Sequence, residues 1–165
     1  MSNAVETVVE SNAQGFDANR PHADAIAQDL AALLKDKLDQ PRIDAALAAL
    51  KEAANSYTAD ASWASFIFYA KVYLNVTSGN MNSFDGNAGG IAIPGGGASG
   101  GTLYLEPNVT LELLYKNTAS FSFVAAVAYI GIQFWSSQGY VLAHYEGGGA
   151  SVAGTGTGTG SWSHQ

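Results

Sequence analysis

The stretch GTGTGTGSW, residues 154–162, decides the fold. Glycine weakens a strand interior, and Gly-rich runs usually act as linkers, so the composition alone suggests a flexible tail. The period of two argues the other way. A linker has no reason to hold one residue type on one side, whereas a β-strand sends alternate side chains to opposite faces. Read as a strand, Thr155, Thr157 and Thr159 occupy the wet face, and Gly154, Gly156, Gly158 and Gly160 share the inner face with Trp162. Strand glycines are destabilising by roughly 0.5–1 kcal/mol each unless packing compensates. Inside a small barrel they leave room for rings from opposing strands, and Phe66, Phe68, Phe121, Phe123 and Phe134 are the expected rings.

Working outward, the chain divides by composition. Ten of the fourteen acidic residues precede residue 61, while most of the nineteen glycines follow it. A boundary near residue 60 separates an acidic N-terminal segment (1–60) from a Gly-rich domain (61–165). In the first part, Ile26, Leu30, Leu33, Leu34 and Leu38 recur at helical spacing within Ala-rich filling, which predicts a helix over about 22–38. Asp39-Gln40-Pro41 interrupts it, and Ile43, Leu47, Leu50 and Ala54 continue as a second helix to about 56. The stripe reads as a hairpin packed on the next domain. A membrane-surface helix would need basic residues opposite the stripe, and that face carries more acids than bases.

From residue 61 the period changes. Ala64, Phe66, Phe68, Ala70, Val72, Leu74 and Val76 alternate with polar residues, predicting one long strand with a wet face carrying Tyr69 and Tyr73. Shorter strands are expected near 80–85, 88–93 and 101–105, punctuated by DGNAGG and PGGGASGG. NVTLELLYKN is expected to form a turn of helix. A phase reset within VAAVA separates strands 119–124 and 127–135, and SSQG leads into YVLAHYE. About eight strands with short connections make an antiparallel barrel or sandwich.

Composition excludes several chemistries. With a net charge of −7 and only Lys71 and Lys116 basic after residue 60, nothing could neutralise several phosphates, so no nucleic acid is expected. The absence of cysteine removes disulfides, thiolate catalysis and the usual structural zinc sites. No apolar run approaches the roughly 20 residues of a transmembrane helix. The opening MSNAVETVVESNAQ lacks the basic start and apolar core of a secretory signal, so none is expected in this form of the chain.

SFDGNAGGIAIPGGGASGGTLY (83–104), LLYKNTASFSF (113–123), YIGIQFWSSQGYVLAHYEGG (129–148) and GTGTGSW (156–162) together resemble the virulence-associated (Vap) proteins of intracellular rhodococci. The likeness spans roughly residues 61–165. It implies a compact eight-stranded antiparallel β-barrel with one short helix, here preceded by the α-helical segment. It also implies a secreted protein acting in the macrophage phagosome lumen to support intracellular survival, with a filled barrel and no evident active site; action through contacts of the barrel's surface is the mechanism expected from this. The resemblance supplies no catalytic, cofactor-binding or metal residues. It leaves the host partner, whether protein, glycan or membrane, unnamed, and a monomer is expected.

The residues offer a few candidates of their own. Gly97-Ala98-Ser99-Gly100-Gly101 matches G-x-S-x-G, but that motif needs a strained strand-to-helix turn, and no helix of useful length follows. Gly95, Gly97 and Gly100 fit G-x-G-x-x-G without the helix a dinucleotide fingerprint requires. Of His22, His144 and His164, only His144 has a neighbour by alternation, Glu146, and two ligands on a wet face make a weak metal site. Asn75-Val76-Thr77 and Asn108-Val109-Thr110 are glycosylation sequons that matter only in a eukaryotic secretory route. Exposed aromatics can form a binding patch, and Tyr69 and Tyr73 are the expected members. A small-ligand-binding barrel, a hydrolase using Ser99 with His144, and an interaction module pairing through the N-terminal leucines are the alternatives.

Overall fold

The computed structural model describes residues 23–50, 55–89, 95–148 and 154–165. Helix α1 (Ala23–Leu34) and helix α2 (Gln40–Ala49) precede eight strands: β1 (Asn55–Ser65), β2 (Tyr69–Val76), β3 (Asn82–Gly89), β4 (Gly95–Leu105), β5 (Ser120–Ala125), β6 (Tyr129–Trp135), β7 (Val141–Gly148) and β8 (Gly154–His164). Helix α3 (Leu111–Asn117) joins β4 to β5. All strand pairs are antiparallel, and they close in the order β1-β2-β3-β8-β5-β6-β7-β4. The barrel leaves no sheet edge open to another chain. Among the described residues no helix is long and apolar enough to cross a membrane.

The threonine–glycine run is strand β8, paired with β3 and β5. Its bare side does what the period of two predicts. A Cβ on Gly156 would lie 2.7 Å from the Phe123 ring, and one on Gly160 would lie 2.5 Å from Phe84. A Cβ on Gly158 would run into the backbone of Asn87 and Ala88 on β3, so the two strands approach too closely there for any side chain. The space is taken by Phe84, whose ring meets Phe121 and Phe134 edge-on at 5.2 and 5.0 Å and lies 5.2 Å from Trp162. Such pairs contribute about 0.5–1.5 kcal/mol beyond their burial.

Phe84 was not among the expected rings although it lies in the strand expected near 80–85, and DGNAGG, directly after it, reads as a turn. Residues 85–89 instead continue β3, with Phe84, Gly86 and Ala88 facing inward. From Gly95 to Gly101 the run PGGGASGG likewise belongs to β4 rather than to a loop. The larger correction concerns the expected strand through residues 64–77. It is two strands, β1 and β2, with a tight turn at Phe66–Phe68 closed by the Phe66 amide donating to the Tyr69 carbonyl at 2.7 Å. The turn resets the phase: Ala59, Ala61 and Trp63 face inward on β1, and Ala70, Val72, Leu74 and Val76 on β2. Phe66 and Phe68 therefore do not fill the barrel.

Helices α1 and α2 lie against the outer wall. Ile26, Leu30 and Leu34 form the buried stripe of α1, and Ile43, Ala46, Ala49 and Leu50 that of α2 and its C-cap, packed with Val124, Tyr129, Trp135 and Val141. Gly131 admits Ile26, since a Cβ there would lie 2.8 Å from its Cγ2. The Asp39 carboxylate caps α2 by accepting from the Arg42 amide at 3.3 Å, with Pro41 in the first turn. The expected helices run longer, to about 38 and 56, than the helical residues observed.

Candidate functional site: the apolar end of the barrel

Antiparallel connectivity sorts the loops into two ends. The β2–β3 turn, the α3 connection and the β6–β7 turn share one end. The β1–β2 and β5–β6 turns share the other. The first end uses ordinary turn chemistry: Gly79 and Gly139 take the left-handed backbone, and the Ser136 hydroxyl accepts from the Tyr140 amide at 3.2 Å. Helix α3 covers it, capped by Thr110 accepting from the Leu113 amide at 3.1 Å and burying Leu111 and Leu114. The Tyr115 phenol donates to the Asn80 carbonyl, and its burial pushes the pKa up to about 12.

The second end breaks the pattern. Its β1–β2 turn is Phe66-Ile67-Phe68, with exposures of 46%, 62% and 82%, followed by Tyr69 at 47%. Its β5–β6 turn carries Val127 at 76%. Phe66 and Tyr69 stack at 4.7 Å, so the tip presents a preformed apolar surface rather than separate side chains. Exposed contiguous apolar patches of this kind mark interaction surfaces.

The two residues expected to form a surface patch lie on this hairpin. Tyr69 belongs to the tip. Tyr73 is on the same outer face of β2, four residues back, with the Lys71 ammonium between them 5.3 Å from the Tyr73 ring. Lys71 also forms a 3.0 Å ion pair with Asp85 on β3, and that hydrogen bond is the main reason its pKa is raised. Sequence reading missed Phe66, Ile67 and Phe68 as surface residues. No local signal marked them, because the apolar run contains none of the Gly, Pro, Asn or Asp residues that normally make turns.

The remaining candidates fall apart in space. Ser99 points into the barrel, where its hydroxyl lies 3.1 Å from the Tyr145 phenol, which donates to the Ser99 carbonyl at 2.8 Å. Burial raises the Tyr145 pKa. His144 is next to Tyr145 and so faces outward, on the opposite side of the wall from Ser99. The two cannot form a dyad. Gly95, Gly97 and Gly100 lie within β4, which runs on as strand to Leu105, so no helix opens at the glycines as a dinucleotide fingerprint requires.

His144 was expected on a wet surface, and the structure corrects this. Its side chain is fully buried, stacked on Tyr104 at 5.4 Å, with Nε2 3.5 Å from the Glu146 carboxylate. On the neighbouring outer face of β5 and β6, the Ser122 hydroxyl donates to the Gln133 side chain at 2.7 Å and accepts from the Trp135 indole at 2.9 Å. The Tyr129 phenol donates to the Asp29 carboxylate of α1, tying the helix to the wall. His164 lies at the surface beside Asn82, 3.0 Å away, and His22 falls outside the described residues. No three metal-ligating side chains gather among the described residues.

The profile of the family described as Rhodococcus equi virulence-associated protein matches residues 11–163, nearly the whole chain. Virulence-associated protein VapB from the intracellular pathogen Rhodococcus equi is similar in structure at a TM-score of 0.60 and 38% identity, covering 67% of this chain and 98% of its own. Virulence-associated protein VapD from the same organism is similar at a TM-score of 0.62 and 34% identity, covering 66% of this chain and 97% of its own. No curated protein matches significantly. With the sequence match running through both the helices and the barrel, and the closed eight-stranded architecture shared with solved relatives, this chain belongs to the Rhodococcus equi virulence-associated protein family.

Proposed function

We propose that this protein is a secreted, non-catalytic virulence effector that works in the lumen of the host phagosome by contact, with the apolar end of its barrel as the contacting surface. Family membership supports the role in virulence. The observation that carries the contact reading is the stacked, solvent-facing Phe66–Tyr69 tip on an otherwise filled barrel. A non-catalytic reading is supported by the placement of Ser99 against Tyr145, on the opposite face of the wall from His144.

The test is delivery of purified protein on particles taken up by macrophages, reading acidification of the compartment. Wild type delays acidification. Phe66→Ser with Phe68→Ser abolishes the delay while leaving the melting transition in place, and Ser137→Ala at the opposite end leaves it intact. A natively folded tip variant that still delays acidification fully would remove the apolar end from the mechanism.

A further inference from the structure

We infer that the Phe66–Tyr69 tip is a lipid-bilayer anchor that enters the interfacial region by apolar insertion and not by attraction to anionic headgroups. This deepens the contact reading above and rests on it. The first argument is chemical. The tip side chains are Phe66, Ile67, Phe68 and Tyr69, and the second turn at the same end exposes Val127.

The second argument is the gradation behind the tip. Moving back along β2, the apolar turn gives way to Tyr69, then Lys71, then Tyr73. Tyrosine suits the membrane–water boundary because its ring is apolar and its hydroxyl wet, and lysine can lay its stem along apolar surface while its head stays in water. That order matches the depth profile of an interface. Because Lys71 is already paired with Asp85 and the chain carries a net charge of −7, electrostatic capture by an anionic surface is not available.

The third argument is area. Three aromatic rings at about 150–250 Å2 each, with one isoleucine, would bury roughly 600–900 Å2 if they started fully exposed, but with exposures of 46%, 62%, 82% and 47% only about half of that is left to cover. A stable protein interface needs about 800 Å2 per partner. A narrow hairpin apex is therefore too small to hold a second copy of this chain by itself, whereas insertion into lipid requires only that the apex enter a fluid phase.

The experiment floats full-length protein with phosphatidylcholine vesicles and with vesicles containing added phosphatidylserine, each in low and high salt. Wild type binds phosphatidylcholine vesicles, gains nothing from phosphatidylserine, and is not released by salt. Ile67→Ser with Phe68→Ser lowers the bound fraction by roughly tenfold or more, the scale expected from removing two apolar anchors. Phe68→Trp keeps binding, and its tryptophan emission shifts to the blue on vesicles, which reports insertion even if the serine variant misfolds. Three results overturn the inference: no binding to either vesicle, binding only to anionic vesicles with release by salt, or undiminished binding by a folded Ile67→Ser, Phe68→Ser variant. If vesicles are ignored yet the tip variant still loses its effect on acidification, the lipid inference falls alone and the contact reading survives with a protein partner. If vesicle binding depends on the tip but the tip variant acts normally in macrophages, the contact reading falls.

Discussion

The two ends of the barrel differ in the residues that make their turns, although the α3 end also exposes Met81, Leu113 and Tyr140. At the α3 end, turn formers make the turns and a helix shields the opening, while the rings of Phe84, Phe121, Phe134 and Trp162 are packed inside. At the other end, aromatic and branched aliphatic side chains make the turns and face water, and Ala70, Ala88 and Ala125 are among the residues filling the interior. Stability gains nothing obvious from the second arrangement, since a residue exposed in the folded state contributes no burial. Local rules broken without a compensating gain in the fold are expected where function sets the sequence. The difference teaches that the same residue type serves opposite purposes at the two ends.

One residue type tests that lesson most directly. Phe84→Ala opens a cavity in the aromatic cluster and is expected to destabilise the protein by about 3–5 kcal/mol. Phe68→Ala, at the tip, should change stability by no more than about 0.5 kcal/mol. Urea unfolding followed by tryptophan fluorescence gives both values. Similar losses at the two sites would mean that the tip is part of the folding core and would break the comparison.

The sequence made the interior largely legible and the apolar end illegible, for one physical reason. Alternation reveals which residues share a face, and it located β8 and the phase reset between β5 and β6 correctly. It finds a turn only where turn chemistry or a change of phase marks one. Through Ser65-Phe66-Ile67-Phe68-Tyr69 every residue is compatible with a strand, so the hairpin vanished into one long expected strand, and Phe66 and Phe68 were assigned to the core. The converse error occurred just after Phe84, where Gly86, which makes room for the Phe84 and Phe121 rings, reads as part of a turn. His144 failed differently. Its strand and face were deducible, but that this outer face is covered depends on packing between parts of the chain distant in sequence, which periodicity does not encode. Of the exposed apolar surface, Tyr69 and Tyr73 were legible as exposed aromatics, but the residues between the strands that give Tyr69 its stacked partner were not.

A smaller effect sharpens the contrast at the α3 end. Thr110 caps α3 through the Leu113 amide, so Thr110→Ala should cost about 1 kcal/mol. Vesicle binding should be untouched, because the helix lies at the far end from the tip. Loss of binding in a folded Thr110→Ala variant would show that the two ends do not act independently.

The smallest expected effect separates the ends by pH. Tyr115 at the α3 end and Tyr129 at the start of β6 both have pKa values pushed up to about 12, chiefly by burial, with the Asp29 carboxylate a further cause only for Tyr129. A raised pKa means the native state holds the phenol proton more tightly than the unfolded chain, whose tyrosines ionise near 10. The stabilisation is complete below pH 10 and is lost as pH climbs from there toward 12, because the unfolded state sheds protons that the native state retains. The advantage of wild type over Tyr115→Phe in urea midpoint should therefore shrink across that window. High salt should weaken the corresponding shrinkage for Tyr129→Phe more than for Tyr115→Phe, since only the former includes a neighbouring carboxylate. A gap for Tyr115→Phe that stays constant from below pH 10 to pH 12 would mean the phenol titrates alike in both states, and that the α3 end closes over water after all.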